Sequence, residues 1–280
     1  LNKSFASVEK SKYWHSTLNK GVLPRNITKG SNDTYWFHCE DCKHDFESII
    51  KVINRGSWCS YCSKPCKKIC EDNKCKHCFK KSFASYEKSK YWHSTLNKGV
   101  LPRNVIKCSA TKYWFKCHVC NHDFDASPSN IINEKWCPYC SHQYLCANID
   151  CKHCFNKSFA SVEKSKHWHP TKNNKINPRD VFKSVAIEFW FKCYKCPHDF
   201  KTRISHVTRG NWCPYCSEPC KKICKDNNCK YCFNKSFASV DKSKYWHSSK
   251  NGKIKPSDVL KYSNSYRWFK CHVCCHDFKQ

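Results

Sequence analysis

Apolar positions in this chain come in short bursts, not in long runs. Ser4-Phe5-Ala6-Ser7 is followed by Tyr13-Trp14-His15, a proline at 24, the aromatic run Tyr35-Trp36-Phe37 and the segment Asp45–Ile50. This patterning predicts a short helix near Ser7–Trp14 with Ser7 as N-cap, and a second helical turn opened by Pro24 at its first position. Tyr35–Phe37 and Asp45–Ile50 read as two strands. No stretch approaches the roughly 18 apolar residues of a membrane span, and no charged-then-apolar signal segment opens the sequence.

The bursts repeat. Ser4 returns as Ser82, Ser158 and Ser236, at steps of 78, 76 and 78 residues, and such self-similarity marks a repeat architecture. Tyr13-Trp14-His15 returns as Tyr91-Trp92-His93, His167-Trp168-His169 and Tyr245-Trp246-His247, and the proline as Pro102, Pro178 and Pro256. The copies divide as 1–78, 79–154, 155–232 and a truncated 233–280. Both ends cut the pattern in mid-repeat, so a window on a longer array is expected.

Composition then decides what holds such small units together. The chain has 27 Cys, 16 His and no Met, and most of its hydrophobic residues are Cys or the 11 Trp, 14 Tyr and 17 Phe. So few aliphatic residues cannot build one large core, and small modules of this kind need disulfides or metal. In a reducing, intracellular compartment CxxC pairs hold metal more often than they oxidise, and their spacing here favours zinc.

Cys39 and Cys42 are separated by sixteen residues from Cys59 and Cys62, and the spacing recurs in Cys117, Cys120, Cys137, Cys140 and in Cys193, Cys196, Cys213, Cys216. Two such pairs point four thiolates at one ion and describe a closed structural zinc site; an iron–sulfur cluster is the alternative. A second set, Cys66, Cys70, Cys75, Cys78, recurs as Cys220, Cys224, Cys229, Cys232. In the second copy the matching positions are His142, Cys146, Cys151 and Cys154, with His142 four residues before Cys146 as Cys66 is before Cys70. Cys271 and Cys274 begin a seventh set. About six complete zinc sites are expected.

Two cysteines fall outside this count. Cys108 stands where other copies have Gly30 or Ser184 and reads as a free thiol; Cys275 is flanked by the ligand pattern but matches Lys43, Asn121 and Pro197. His44, His122, His198 and His276 recur two residues after the first pair. Because four thiolates already complete a site, a packing or hydrogen-bonding role is expected for them, with ligation the alternative. Trp14, Trp36, Phe46 and Trp58 are expected to form the core of each copy, with base stacking the alternative role.

Trp190-Phe191-Lys192-Cys193, His198-Asp199-Phe200, Arg209-Gly210 and Trp212-Cys213-Pro214-Tyr215-Cys216 resemble the treble-clef zinc-finger (zinc-ribbon) tandem repeats of large DNA viruses and of some bacterial and eukaryotic proteins. The likeness extends over essentially the whole chain. It implies small zinc-stabilised α+β modules in a tandem treble-clef array, with a knuckle at the first pair, a helix beginning at the second, and Cys193, Cys196, Cys213 and Cys216 as ligands. In the second copy Asn133-Glu134 replaces Arg-Gly. The resemblance also suggests a protein of a host cell's cytoplasm or nucleus, or one packaged in a virion.

The formal charge is +29. Thiolate ligation at five four-cysteine sites and one site of three cysteines and a histidine lowers it to near +18, which is still strongly basic. A basic surface on rigid modules suggests contact with nucleic-acid phosphates. The candidate lysines are Lys10, Lys12, Lys67, Lys68, Lys88, Lys90, Lys164, Lys166, Lys221, Lys222, Lys242 and Lys244, joined by Arg55 and Arg209. A non-catalytic, nucleic-acid-binding array without strong sequence preference is expected. The alternative is a structural protein, such as a virion component that uses a stiff, extended array as a rod and binds proteins in a larger assembly. No cluster of carboxylates suits a catalytic metal, and no small-molecule substrate is implied.

Overall fold

The computed structural model describes residues 3–280. It divides into two compact units, Leu1–Gln143 and Tyr144–Gln280, and each is built from the same short elements. In the first copy the sequence led to a continuous helix over Ser7–Trp14. The chain instead makes two 3-10 turns, Phe5–Ser7 and Glu9–Tyr13, broken by Val8 in an extended conformation. Ser7 caps nothing; its hydroxyl donates back to the Ser4 carbonyl at 2.8 Å. Burying Phe5 completely fixes this break, because the chain must turn to place the ring beneath the sheet. Pro24 opens a 3-10 turn, Pro24–Asn26, from the first position, where its missing N–H leaves no bond unmade.

Strands β1 (Thr34–Cys39) and β2 (His44–Ile49) form an antiparallel hairpin with Phe37 opposite Phe46. Helix α1 (Ile50–Asn54) follows without a loop and buries Ile50 and Ile53. The chain then crosses to α2 (Lys76–Lys81), which leads into the next copy. The same order gives β3 (Tyr113–Lys116), β4 (Asp123–Ala126), α3 (Pro128–Ile132) and α4 (Lys152–Lys157). It continues with β5 (Glu188–Lys192), β6 (Asp199–Arg203), α5 (Ile204–Thr208), α6 (Lys230–Lys235), β7 (Trp268–Lys270) and β8 (Asp277–Lys279).

Each core is a knot of rings. Phe37, fully buried, takes edge-on contacts from Phe5 at 5.7 Å, Trp14 at 5.6 Å and Trp58 at 5.8 Å, while Phe46 meets Trp58 at 4.9 Å. Edge-to-face geometry adds about 0.5–1.5 kcal/mol per pair to the burial itself. A handful of rings therefore replaces the larger aliphatic core of an ordinary domain.

The edge of each hairpin is closed by a side chain. Asn19 accepts from the Trp36 N–H and donates to its carbonyl, both at 2.9 Å. Asn97, Asn173 and Asn251 do the same to Trp114, Trp190 and Trp268. One asparagine thus substitutes for a strand residue at this tryptophan, whose carbonyl also accepts from the His15 N–H at 3.1 Å.

The Arg-Gly motif has a backbone role. Gly56, at φ +93°, ends α1: its N–H bonds the Ile53 carbonyl and Ser57 N–H the Val52 carbonyl, the left-handed helix stop in which glycine is favoured. Gly210 repeats it at φ +98°. Glu134 takes the position at φ 62° in the second copy, so the turn survives without glycine.

Candidate metal centres

Hairpin and turn together make the first site. Lys43 N–H bonds the Cys39 carbonyl at 2.7 Å with Lys43 at φ 56°, folding Cys39 and Cys42 into a knuckle. Asn121 and Cys275 hold the same left-handed position in their copies, at φ 59° and 57°, so Cys275 is a turn residue. On the opposite side Cys62 and Ser63 N–H both bond the Cys59 carbonyl. This is a single turn. The helix expected at the second pair does not form, because the chain leaves towards Pro65 after one turn.

Cys39 and Cys62 sulfurs lie 3.7 Å apart, and Cys42 and Cys59 sulfurs 3.5 Å. The second copy gives 3.7 and 3.4 Å, the third 3.6 and 3.6 Å. A disulfide needs about 2.05 Å. A zinc ion about 2.3 Å from each sulfur of a tetrahedron sets them about 3.8 Å apart, close to the spacing found.

In the second site the fourth partner differs from the sequence expectation. Cys70, Cys75 and Cys78 gather with His44, not with Cys66. The His44 Nε2 stands 3.4 Å from Cys75 Sγ and 3.5 Å from Cys78 Sγ; His198 stands 3.4 and 3.3 Å from Cys229 and Cys232. A mixed nitrogen–sulfur edge of a zinc tetrahedron is about 3.5 Å. The ring is held by stacking on Tyr61 at 4.3 Å, and in the third copy on Tyr215 at 4.3 Å. In that copy Nδ1 of His198 also meets Cys196 of the first site at 3.3 Å, so one imidazole touches both.

Cys66 stands outside the cluster of His44, Cys70, Cys75 and Cys78. Its sulfur points at the Lys68 carbonyl at 3.2 Å, and that of Cys220 at the Tyr215 and Lys222 carbonyls at 3.2 and 3.4 Å. His142 matched Cys66 in register, so its assignment falls with that of Cys66. It sits exposed at φ 60°, whereas His122 occupies the place of His44 and stacks on Tyr139 at 4.2 Å. Cys108 is exposed, as a free thiol should be, with its sulfur 3.9 Å from the Cys66 carbonyl. Cys271 and Cys274 form the knuckle of the fourth copy.

The electrostatics favour a cation. Burial pushes the thiols of Cys59, Cys78 and Cys232 up to about 12, so gathered thiolates need a positive ion to remain charged. Burial also lowers the His44 and His198 imidazoles, with His77 adding to the effect at His44, which favours the neutral, ligating form. Backbone amides serve the sulfurs: Cys70 N–H points at Cys78 Sγ at 3.3 Å and Cys224 N–H at Cys232 Sγ at 3.3 Å. Four protein groups per cluster leave no open position, so these are structural centres.

The other recurring histidines belong to the scaffold. His169 Nδ1 accepts from the Thr171 and Lys172 amides, and its Nε2 meets Asp199 at 2.9 Å; His247 and Asp277 repeat this at 3.2 Å. The aspartate of each His-Asp-Phe motif thereby ties the hairpin to the preceding turn.

The basic residues separate into groups. Lys10, Lys88 and Lys164 lie half-buried over Trp58, Trp136 and Trp212, at 4.7, 5.2 and 5.4 Å. Lys12, Lys90 and Lys166 are exposed and pair with Glu9, Glu87 and Glu163 at 3.3, 3.5 and 3.1 Å. Lys68 and Lys222 cover Tyr61 and Tyr215, and Lys244 covers Tyr245. Lys67, Lys221, Lys242, Arg55 and Arg209 are exposed. No helix among the described residues is long and apolar enough to cross a membrane.

Repeated clusters of four cysteines, or of three cysteines and a histidine, on small hairpins define a zinc-finger repeat protein with about six zinc sites. Residues 11–65, 89–143 and 165–219 match the family described as "Probable Treble clef zinc finger domain". These stretches make up more than half of the chain, which belongs to that family. Uncharacterized protein R635 of Acanthamoeba polyphaga mimivirus is 38% identical over 218 residues, covering 76% of this chain and 51% of the relative. The chain thus spans about half the length of the curated relative it matches. The matched stretches contain the three four-cysteine sites and His44, His122 and His198, whereas Cys70, Cys75 and Cys78 lie beyond residue 65.

Proposed function

We propose that the chain is a non-catalytic array that binds single-stranded nucleic acid through phosphate contacts and ring stacking, without strong sequence preference. The carrying observation is a surface feature that recurs beside the first knuckle. His118 stacks on Tyr91 at 4.4 Å, Tyr194 on His167 at 4.7 Å and His272 on Tyr245 at 4.5 Å. His118 and His272 are exposed, as is Tyr194 at 53%. Lysines flank each pair, Lys88 and Lys90 in the second copy, Lys164 and Lys195 in the third, Lys244 in the fourth. A ring with one free face beside ammonium groups suits an unpaired base and its phosphate.

The metal assignment in this reading is three four-cysteine sites, as expected from the spacing, and three sites of three cysteines and a histidine. The latter are His44 with Cys70, Cys75 and Cys78, His198 with Cys224, Cys229 and Cys232, and, by register, His122 with Cys146, Cys151 and Cys154. Three sites at −2 and three at −1 lower the formal +29 to near +20, so the surface stays basic. The exposed Lys–Glu pairs are screened by solvent and salt and contribute little, and phosphate displaces such partners readily.

Fluorescence anisotropy with a labelled twelve-nucleotide strand and its duplex, at two salt concentrations, tests the proposal. Binding should prefer the single strand and weaken linearly in log–log form, by a slope of about −0.7 per phosphate contacted. Tyr194→Ala should weaken the single strand by roughly tenfold, as loss of one stacked base does. No binding of either form at low salt would replace this reading with the scaffold one.

A further inference from the structure

Arg103 belongs to the Pro102–Asn104 turn of the second copy, yet its guanidinium lies against the metal site that follows the first. Its Nη2 donates to the Asp72 carbonyl at 2.6 Å and points at Cys70 Sγ at 3.8 Å; its Nη1 donates to the Cys70 carbonyl at 3.3 Å. The residue is only 8% exposed. In the next copy Arg179 repeats the contact, Nη2 meeting the Asn148 carbonyl at 3.0 Å and Cys146 Sγ at 3.8 Å. The carbonyls are presented by a local turn, in which Asp72 and Asn148 side chains accept from the amides of Lys74 and Asp150 at 2.9 Å.

A nearly buried guanidinium stays charged and requires an opposite charge. Among the described residues neither Arg103 nor Arg179 forms an ion pair with a carboxylate. The nearest anion is the thiolate cluster, and a site of three thiolates and a histidine loaded with zinc carries a net −1. Arg25, at the same position in the first copy, faces no metal site among the described residues and is exposed.

The fourth copy departs. Ser257 replaces the arginine, and a small cavity bounded by Cys224, Cys229, Cys232, Asp226 and Ser257 lies where the guanidinium would be. We infer that Arg103 and Arg179 are positioning residues, each reaching back from one copy to neutralise and shield the zinc site before it, and that the site of His198, Cys224, Cys229 and Cys232, lacking this arginine, is the exchangeable one. The inference concerns the metal sites and stands whether or not the array binds nucleic acid.

A zinc thiolate that receives a cationic N–H donor is a weaker nucleophile and holds its metal longer. The test uses the full zinc-loaded chain with limiting iodoacetamide, mapping alkylated cysteines by peptide mass spectrometry while a chromogenic chelator counts released zinc. Cys224 should be alkylated about tenfold faster than Cys70 or Cys146, the size expected for one charge-assisted hydrogen bond, and one zinc should leave ahead of the rest. Ser257→Arg should slow both events by a similar factor. Arg103→Gln should create a second early zinc at Cys70, and Arg103→Lys should restore part of the protection. Equal alkylation rates at the three cysteines would overturn the inference. So would Ser257→Arg without effect, a result that does not depend on whether Arg103→Gln folds. In the cobalt-substituted protein Ser257→Arg should also shift the thiolate-to-metal charge-transfer band; an unmoved band would mean that the arginine merely packs.

Discussion

His198 Nε2 lies 3.3 Å from Cys232 Sγ, thirty-four residues further along the chain. The contact joins the hairpin of the third copy to the helix that leads into the fourth, so this metal site is a seam between those two modules.

The first prediction follows from that seam. His198→Ala should lose one zinc per chain by native mass spectrometry, whereas Cys220→Ser should keep the full complement. If Cys220→Ser loses a zinc and His198→Ala does not, the imidazole is not the ligand.

Acid sensitivity should distinguish the two kinds of site. Burial keeps the free thiols protonated, Cys59 up to about 12, and lowers His198. The zinc-free chain therefore binds more protons, and the loaded fold gains stability as pH rises and loses it as pH falls. Between the ordinary imidazole and thiol values, about 6.5 and 8.5, log affinity should rise by about four per pH unit at a four-cysteine site and about three where a histidine replaces one cysteine. Chelator competition across that window measures both; a slope of four throughout would return a cysteine to the fourth position.

Glu134 occupies a left-handed position, φ 62°, that its counterparts fill with glycine. Glu134→Gly should stabilise the second copy by about 1 kcal/mol, the cost of a side chain in that region, read as slower amide exchange at Ile131 and Trp136. Faster exchange would mean that chain entropy outweighs the relief of strain.

Asn173→Ala should remove three hydrogen bonds and strand the Trp190 amide at the sheet edge, while the Trp190 carbonyl keeps the His169 N–H at 3.0 Å. A loss of about 2–3 kcal/mol is expected, visible as rapid exchange of the Trp190 amide with zinc still bound. Unchanged protection would show that water replaces the side chain.

Zinc should also be what keeps the hairpins folded. Chelation under reducing conditions should abolish the amide protection of Phe191 and Phe200, and added zinc should restore it, since a structural zinc contributes on the order of 10 kcal/mol. Protection that outlasts zinc removal would mean that the ring clusters suffice.

The sequence by itself determined the repetition of a small unit, the two strands of its hairpin, an aromatic core and zinc sites of four cysteines. All of these are local: the CxxC turns, the alternation of a strand and the spacing of a hairpin need only short-range geometry. Only the tertiary structure decided the fourth ligand of the second site. Cys66 precedes Cys70 by four residues and has the better ligand chemistry, but its sulfur faces two carbonyls, while His44, twenty-six residues before Cys70, is swung into place by the hairpin and fixed by Tyr61. The asparagines that close the strand edges and the arginines that reach back to the preceding site were hidden for the same reason. Their partners are seventeen or more residues away, and a side chain's partner at that range is set by how the elements pack.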